Sequence, residues 1–262
     1  MCRLTAYLGD PLPLETLVFG GAHSLFVQSW APREILSGAV NADGWGVAWY
    51  EGPHPVRLAR PEPVWHADGL KAILGAIRSP LALAAIRNAT TGLPVVAPPI
   101  APLAFGRWTF ALNGFIPSFR ARHMRPLRAR LPDHLYGSLV GVSDTETLFL
   151  LAVERLERGA SLTEALETVV RIALDEVGED GGECQLTMLL SDGEGVGVVR
   201  TSNRDRVNSL YRMDGGALAP GGTLLASERL DSDERWMSVP EREILEIRRS
   251  RPARPPDPSH ER

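Results

Sequence analysis

Two adjoining helical signatures sit between Ser143 and Val177, in a chain whose other readable segments are short β-prone runs. This order limits the architecture more than any other feature. Ser143 with Glu146 and Ser161 with Glu164 have capping-box spacing, in which a hydroxyl and a carboxylate three residues apart satisfy the free N–H groups of a first turn. After the first box, Leu148, Leu151, Ala152 and Leu156 recur on one face as far as Gly159. After the second, Leu162, Leu166, Val169, Ala173 and Val177 belong to a wide apolar stripe suited to covering a sheet. The β-prone runs before the helices are 2–8 (stopped by Gly9-Asp10-Pro11), 45–50, 82–87 and 108–112; those after them are 186–191, 195–200, 207–212 and 223–226. A weaker helix is expected over about 66–77. Strands, then helices, then strands, without alternation, argue against a doubly wound parallel fold. The order favours an α+β layered sandwich with helices outside two sheets.

The 262 residues suit a single domain, expected over 1–250, and the proline-rich stretch 251–262 is expected to be a disordered tail. Residues 92–102, with Pro94, Pro98, Pro99 and Pro102, cannot form a regular element and read as a stiff loop. A net charge of -4 with scattered arginines leaves no footprint for nucleic acid, and the cluster from Arg120 to Arg130 reads as a solvated face. No apolar run has membrane length and no signal-peptide layout is present, so no membrane partner is expected. Two cysteines, Cys2 and Cys184, do not make a disulfide framework; free thiols suit a reducing compartment, and a cytoplasmic location is expected. The six histidines show no metal-ligand spacing, so neither a metal nor another cofactor is expected. Nothing in the chain specifies an oligomeric state.

Chemistry concentrates at a few strand ends and turns. Once an initiator methionine is removed, Cys2 carries a thiol and a free α-amine on one residue. Their unperturbed pKa values, roughly 8.5 and 8, match a nucleophile to its own base. Alternatively Cys2 is a small apolar residue that opens a strand. Arg87, in Arg87-Asn88-Ala89-Thr90, is either a bidentate partner for a carboxylate, helped by the Thr90 hydroxyl, or a surface arginine before a turn. Asn113-Gly114 is either a tight turn or a pair of donors for an oxyanion. Asp144 either caps a helix or receives an ammonium, with Ser143 left to cap. The segment Asn41-Ala42-Asp43-Gly44-Trp45-Gly46 is a turn with a core tryptophan, or a place where backbone approaches a ligand.

Taken in order, Cys2, the Asn41-to-Gly46 segment, Arg87-Asn88-Ala89-Thr90, Asn113-Gly114 and Ser143-Asp144-Thr145-Glu146 resemble the class II glutamine amidotransferases, members of the N-terminal nucleophile hydrolase superfamily. The resemblance covers about the first 230 residues. It implies a four-layer αββα sandwich and a small-molecule γ-glutamyl substrate. By matching motif, it makes Cys2 the nucleophile and its α-amine the base. Asn113 and Gly114 form the oxyanion hole, Arg87 and Thr90 hold the glutamyl α-carboxylate, and Asp144 holds the α-ammonium. Leu112 departs from the pattern, since many of these enzymes carry histidine there.

A closer resemblance, to the ergothioneine-biosynthesis γ-glutamyl amidohydrolases, rests on the segments running from His23 to Pro32, Gly106 to Phe110 and Ala226 to Asp231. It implies release of glutamate from γ-glutamyl-hercynylcysteine sulfoxide; Trp30, Trp45 and Trp49 are candidates to face a trimethylammonium group, with core packing the favoured use for most of them. Two other functions suit parts of the same pattern: a glutaminase subunit that feeds ammonia to a separate synthase, and a non-catalytic binder of an amino acid. Active protein is expected to begin at Cys2. An intact mass that retains methionine in active enzyme would contradict the mechanism.

Overall fold

The computed structural model describes residues 2–36, 38, 40–88, 100–179 and 181–249. Met1, Thr90, most of the proline-rich loop and the expected tail therefore lie outside the described residues. Among the described residues, twelve strands form two antiparallel sheets. The larger contains β1 (Arg3–Pro13), β2 (Trp45–Tyr50), β3 (Pro55–Arg60), β4 (Arg78–Ile86), β9 (Tyr211–Asp214), β10 (Gly222–Ala226) and β11 (Met237–Ser238), in the order β11-β9-β10-β1-β4-β2-β3. The smaller contains β5 (Leu103–Phe105), β6 (Trp108–Phe115), β7 (Gln185–Ser191), β8 (Gly195–Ser202) and β12 (Ile244–Arg248), in the order β12-β8-β7-β6-β5.

Strand alternation explains why the sheets face each other, because successive side chains point to opposite faces. On β1, Leu4, Ala6 and Leu8 enter a central apolar layer with Leu81, Leu83 and Ala85 of β4 and Ala111, Leu189 and Val198 of the opposite sheet. Tyr7 instead joins the outer layer with Ala82, Ala84 and Ile86. That outer face is covered by α1 (Glu15–Phe19), α2 (Leu25–Gln28) and α3 (Leu70–Ala76). The outer face of the smaller sheet, through Phe110, Leu112, Met188 and Leu190, is covered by α6 (Asp144–Glu157) and α7 (Leu162–Val177). Between β6 and α6 lie α4 (Met124–Arg128) and α5 (Asp133–Tyr136). Two helical layers outside two facing sheets make the expected four-layer αββα sandwich.

Several local expectations need correction. β1 does not stop at Gly9-Asp10-Pro11: Gly9 pairs with Gly222, and pairing with β4 resumes at Leu12↔Ser79 after an irregularity that absorbs Asp10 and Pro11. Asn113-Gly114 is no turn, since both residues lie inside β6 and pair with Thr187 and Leu186. The expected helix over 66–77 is shorter, Leu70–Ala76, preceded by a 3₁₀ turn at Val64–His66. Ser161 and Glu164 form a full capping box. Ser143 caps Glu146 N–H in the same way, but the Glu146 carboxylate turns back to accept from the N–H groups of Val140 and Gly141. Four strands, β3, β5, β11 and β12, and helices α1, α2, α4 and α5 have no counterpart among the expected elements. No helix among the described residues is long and apolar enough to cross a membrane.

Replacing Ser161 with alanine removes one half of the capping box. It should lower the unfolding free energy by about 1 kcal/mol, read as a lower urea midpoint at unchanged m. An unaltered midpoint would show that the box contributes nothing.

Candidate active site

The polar residues singled out in the sequence collect where the central apolar layer ends. Cys2 precedes Leu4 by two positions and so shares its inward face. Arg87 follows Ala85 in the same way, and Asn113 follows Ala111. The last β1–β4 pair is Arg3↔Ile86, so continued register sets Cys2 beside Arg87. Arg87 is held by the glycine-containing segment before β2: its N–H donates to Gly44 O at 2.8 Å, and its carbonyl accepts from Asp43 N at 3.0 Å. Gly44 has φ 144°, and a Cβ on Gly46 would lie 2.5 Å from the Ala101 carbonyl oxygen, so these positions let 100–101 pass close by. The Asn41-to-Gly46 segment thus acts as a backbone clamp on Arg87.

Cys2, Arg87, Gly114 and Asp144 line one cavity of about 540 Å³. Its far wall is the end of β6 and the segment after it, including Phe115, Pro117, Phe119 and Arg120. Ser118 there has φ 50°, an unusual left-handed conformation for a non-glycine residue, and a π-helical turn follows over Phe119–His123. Arg120 and Arg87 carry guanidinium groups with no hydrogen bond or ion pair to a described residue. The cluster from Arg120 to Arg130 is therefore not simply a solvated face. Arg120 lines the cavity, and half-buried Arg128 donates to the Gly141 carbonyl at 2.8 Å and to Thr147 Oγ1 at 3.1 Å, bracing the loop before α6.

Asp144 opens α6, and Ser143 supplies the cap, so the Asp144 carboxylate is free to face the cavity. Its Oδ2 accepts from Ile116 N at 2.9 Å and its Oδ1 from Thr145 N at 2.7 Å. Burial pushes the carboxyl above the ordinary aspartate range, against the pull of these hydrogen bonds. An incoming ammonium would relieve that cost.

Asn113 bridges toward the other sheet. With its side-chain amide oriented so that each end meets a complementary partner, Nδ2 donates to the Cys2 carbonyl at 2.7 Å and Oδ1 accepts from Arg3 Nη1 at 3.3 Å. Asn208 Nδ2 supports it from behind by donating to the Asn113 backbone carbonyl at 3.1 Å. A side-chain amide has two hydrogens, which leaves one for an incoming oxygen. Gly114 has a packing reason as well, since a Cβ there would sit 1.9 Å from the Gln185 carbonyl oxygen.

Sequence reading missed a second shell of charge. Arg3 is fully buried, with Nε 2.9 Å from Glu228 Oε1 and Nη1 donating to the Cys2 carbonyl at 3.1 Å. Glu228 Oε2 lies 2.6 Å from His23 Nε2. Burial alone would raise the Glu228 carboxyl; the hydrogen bonds from His23, Arg33 N–H and Glu34 N–H, with the Arg3 charge, hold it below the usual range. His23 and Glu228 belong to two of the sequence segments that carried the closer resemblance, and they are 205 residues apart. Their juxtaposition has no local signal. Of the tryptophans considered for the substrate wall, Trp45 and Trp49 are buried in the outer layer and Trp30 packs on Phe26 and Trp65. None lines the cavity, whose aromatic residues are Phe115 and Phe119. Among the described residues, no group of three or more His, Cys, Asp or Glu could hold a metal.

A four-layer αββα sandwich with a cysteine opening the strand beside the cavity is the architecture of the N-terminal nucleophile hydrolases. The family described as class II glutamine amidotransferases matches residues 21–214. The chain is 30% identical over 249 residues to the gamma-glutamyl-hercynylcysteine sulfoxide hydrolase of Mycolicibacterium smegmatis, covering 95% of this chain and 96% of that one. It is 32% identical to the protein of the same name from Mycobacterium tuberculosis, covering 94% and 93%. Among solved structures, a glutamine aminotransferase class-II domain protein from Silicibacter pomeroyi superposes with a TM-score of 0.67 at 26% identity, covering 94% of each chain. The glutamine phosphoribosylpyrophosphate amidotransferase of B. subtilis shares the fold at a TM-score of 0.64 and 15% identity, over 94% of this chain and 47% of that one. This chain belongs to the class II glutamine amidotransferases, and it is an enzyme of that family.

The raised Asp144 carboxyl has a signed consequence. The folded protein holds the Asp144 proton at pH values where the unfolded chain, with an aspartate pKa of about 3.9, has lost it. Asp144 therefore lowers stability progressively as pH rises from that value through its native pKa. The stability of Asp144→Asn relative to wild type should climb over this window in denaturant titrations on ligand-free protein. A difference that stays flat with pH would reject the desolvated carboxylate.

Proposed function

We propose that the enzyme hydrolyses a γ-glutamyl amide with Cys2 as nucleophile, and that its substrate is γ-glutamyl-hercynylcysteine sulfoxide. The observation that carries the reading is the placement around one cavity of Cys2, the Arg87 guanidinium, unpaired among the described residues, and the half-buried Asp144 carboxylate. An amino-acid head group needs one cation and one anion. Arg87 takes the α-carboxylate, with Thr90 a further donor two positions beyond Asn88, and Asp144 takes the α-ammonium. The side chain of the glutamyl group then brings its γ-carbonyl to Cys2.

The reaction follows from these contacts. The freed α-amine of Cys2 accepts the thiol proton as Sγ attacks the γ-carbonyl carbon. The resulting oxyanion accepts hydrogen bonds from the second Asn113 amide N–H and from the Gly114 N–H, donors of a kind worth about 3–4 kcal/mol each in other enzymes. Collapse of the intermediate breaks the C–N bond, and the departing amine takes the proton from the α-ammonium. Water then cleaves the thioester, releasing glutamate and restoring the thiol. Thiol chemistry of this kind suits a reducing cytoplasm.

The names of the two mycobacterial relatives support the particular substrate, and so does the charge count in the cavity. Arg87 and Asp144 balance the glutamyl zwitterion, which leaves Arg120 uncompensated. A cysteine conjugate brings a carboxylate to that cation; the ammonia lost from glutamine brings none. The apolar wall of Phe115, Pro117 and Phe119 adds room for a bulkier leaving group than ammonia.

Purified enzyme should release glutamate from γ-glutamyl-hercynylcysteine sulfoxide with kcat/KM far above that for glutamine, and Cys2→Ala should abolish both reactions while remaining folded. Preferred turnover of glutamine would favour the glutaminase-subunit reading, and binding without turnover the non-catalytic one. Arg120→Met should cut kcat/KM for the conjugate by about tenfold, the scale of one lost charge-assisted contact, and leave glutamine hydrolysis unchanged. Equal losses on both substrates would remove Arg120 from leaving-group recognition.

A further inference from the structure

The charge network behind Cys2 is too costly and too specifically placed to be packing alone. Three ionisable side chains, Arg3, Glu228 and His23, have relative side-chain exposures of 0%, 1% and 5%. Buried ion pairs commonly contribute less stability than apolar residues of the same volume. This one also leaves Arg3 Nε, Arg3 Nη2 and His23 Nδ1 buried without a hydrogen-bond partner, the 2.9 Å approach of Nε to Glu228 Oε1 being a charge contact. A network built for stability would satisfy those atoms. Its well-made contacts point instead toward the nucleophile.

Arg3 is the link. One end of its guanidinium meets Glu228 at 2.9 Å. Nη1, at the other end, reaches the Cys2 carbonyl at 3.1 Å and Asn113 Oδ1 at 3.3 Å. A single planar group therefore touches the residue that attacks and the residue that receives the oxyanion, which stand on different sheets. Asn113 completes a closed triangle by donating to the same Cys2 carbonyl at 2.7 Å.

Glu228 fixes Arg3 in turn, and both its oxygens carry further ties. Oε1 accepts from Glu34 N at 3.0 Å, and Oε2 from Arg33 N at 2.8 Å and from His23. The neighbouring Ser227 is stitched to β1, accepting from Leu4 N at 3.0 Å through its hydroxyl and donating its own N–H to Leu4 O at 2.9 Å. The chain position of Glu228 relative to Cys2 is thereby set by the backbone of Leu4, the residue after Arg3.

We propose that Arg3 and Glu228 are positioning residues for catalysis: Glu228 holds the Arg3 guanidinium, and Arg3 sets the distance and angle between the Cys2 nucleophile and the Asn113 oxyanion donor. The proposal rests on the assignment of Cys2 as nucleophile. Neither residue touches the γ-glutamyl head group, whose partners are Arg87 and Asp144. Loss of either should therefore lower kcat with little change in KM, and misplacement of about 1 Å is enough to cost on the order of 100-fold in rate.

The test uses the full-length enzyme and three variants: Glu228→Gln, Arg3→Lys, and the double substitution Arg3→Met with Glu228→Gln. Glu228→Gln strands a buried guanidinium and should lose both stability and kcat. Arg3→Lys keeps the charge for Glu228 but lacks the fork that reaches two partners, so kcat should fall about 100-fold with KM within threefold. The double variant removes both charges and should recover thermal stability without recovering kcat. Recovery of activity along with stability would overturn the proposal, as would wild-type kcat in Arg3→Lys. Should the double variant fail to fold, Arg3→Lys decides alone, and if neither folds the network is structural and the proposal fails.

A diazoketone analogue of glutamine, which alkylates a correctly placed nucleophile, separates this proposal from the one beneath it. In wild type the label should map to Cys2 by peptide mass; a label elsewhere, or none, sinks the nucleophile assignment itself. With the label on Cys2, a rate reduced in Arg3→Lys at saturating analogue supports the positioning role, and an unchanged rate rejects it.

Discussion

The site exists because two sheets pack face to face through a layer of small and branched apolar side chains. Leu4, Ala6 and Leu8 from one sheet meet Ala111, Leu189 and Val198 from the other. Alternation then dictates what the next inward position on each strand must be. At one edge of the layer those positions are Cys2, Arg87 and Asn113, so the apolar interior gives way to a polar cleft without any change in backbone direction. The same regularity that builds the core aims the chemistry. A one-residue slip of β1 against β4 would turn Cys2 away from the cleft and bring Arg3 into it.

Charge is distributed across that cleft in two shells. Facing the cavity are unpaired guanidiniums and one desolvated carboxylate, groups whose partners the substrate supplies. Behind the nucleophile, Arg3 and Glu228 compensate each other at close range, and burial draws the Arg3 guanidinium down from its ordinary range while Glu228 resists. The Asp144 carboxylate is costly without ligand, whereas Arg3 and Glu228 are already paired in the ligand-free protein. This division lets the cavity gain from binding while the nucleophile keeps its geometry.

Features that depend on short spacing were legible in the sequence. The two long helices were marked by hydroxyl–carboxylate caps, and Ser143 proved able to cap while Asp144 faced the cavity. The order of strands and helices sufficed for the layered architecture. Where meaning depends on tertiary contact, the reading fell short. Asn-Gly ordinarily marks a turn, yet here the pair lies within β6 because close packing on Gln185 demands the glycine. Gly9-Asp10-Pro11 reads as a stop, but the irregularity between Leu8 and Leu12 carries the strand through. Helices α1 and α2, five and four residues long, are too short to leave a periodic stripe. Arg3 looked like any polar residue of a strand, because its partner Glu228 comes from the far end of the chain.

Half of the candidate site stands on each sheet, and this makes their relative placement a chemical quantity. Cys2 and Arg87 extend from β1 and β4; Asn113 and Gly114 belong to β6, and Asp144 is joined to that side through Ile116 N–H. Apolar packing between sheets resists separation but is non-directional, so it sets the register of the two faces loosely. Hydrogen bonds are directional and can set it tightly. The contact of Asn113 with the Cys2 carbonyl, reinforced by Arg3 on one side and Asn208 on the other, crosses between the sheets at the point where an oxyanion would form. The apolar layer brings the two halves together, and this small polar crossing fixes the angle at which they meet.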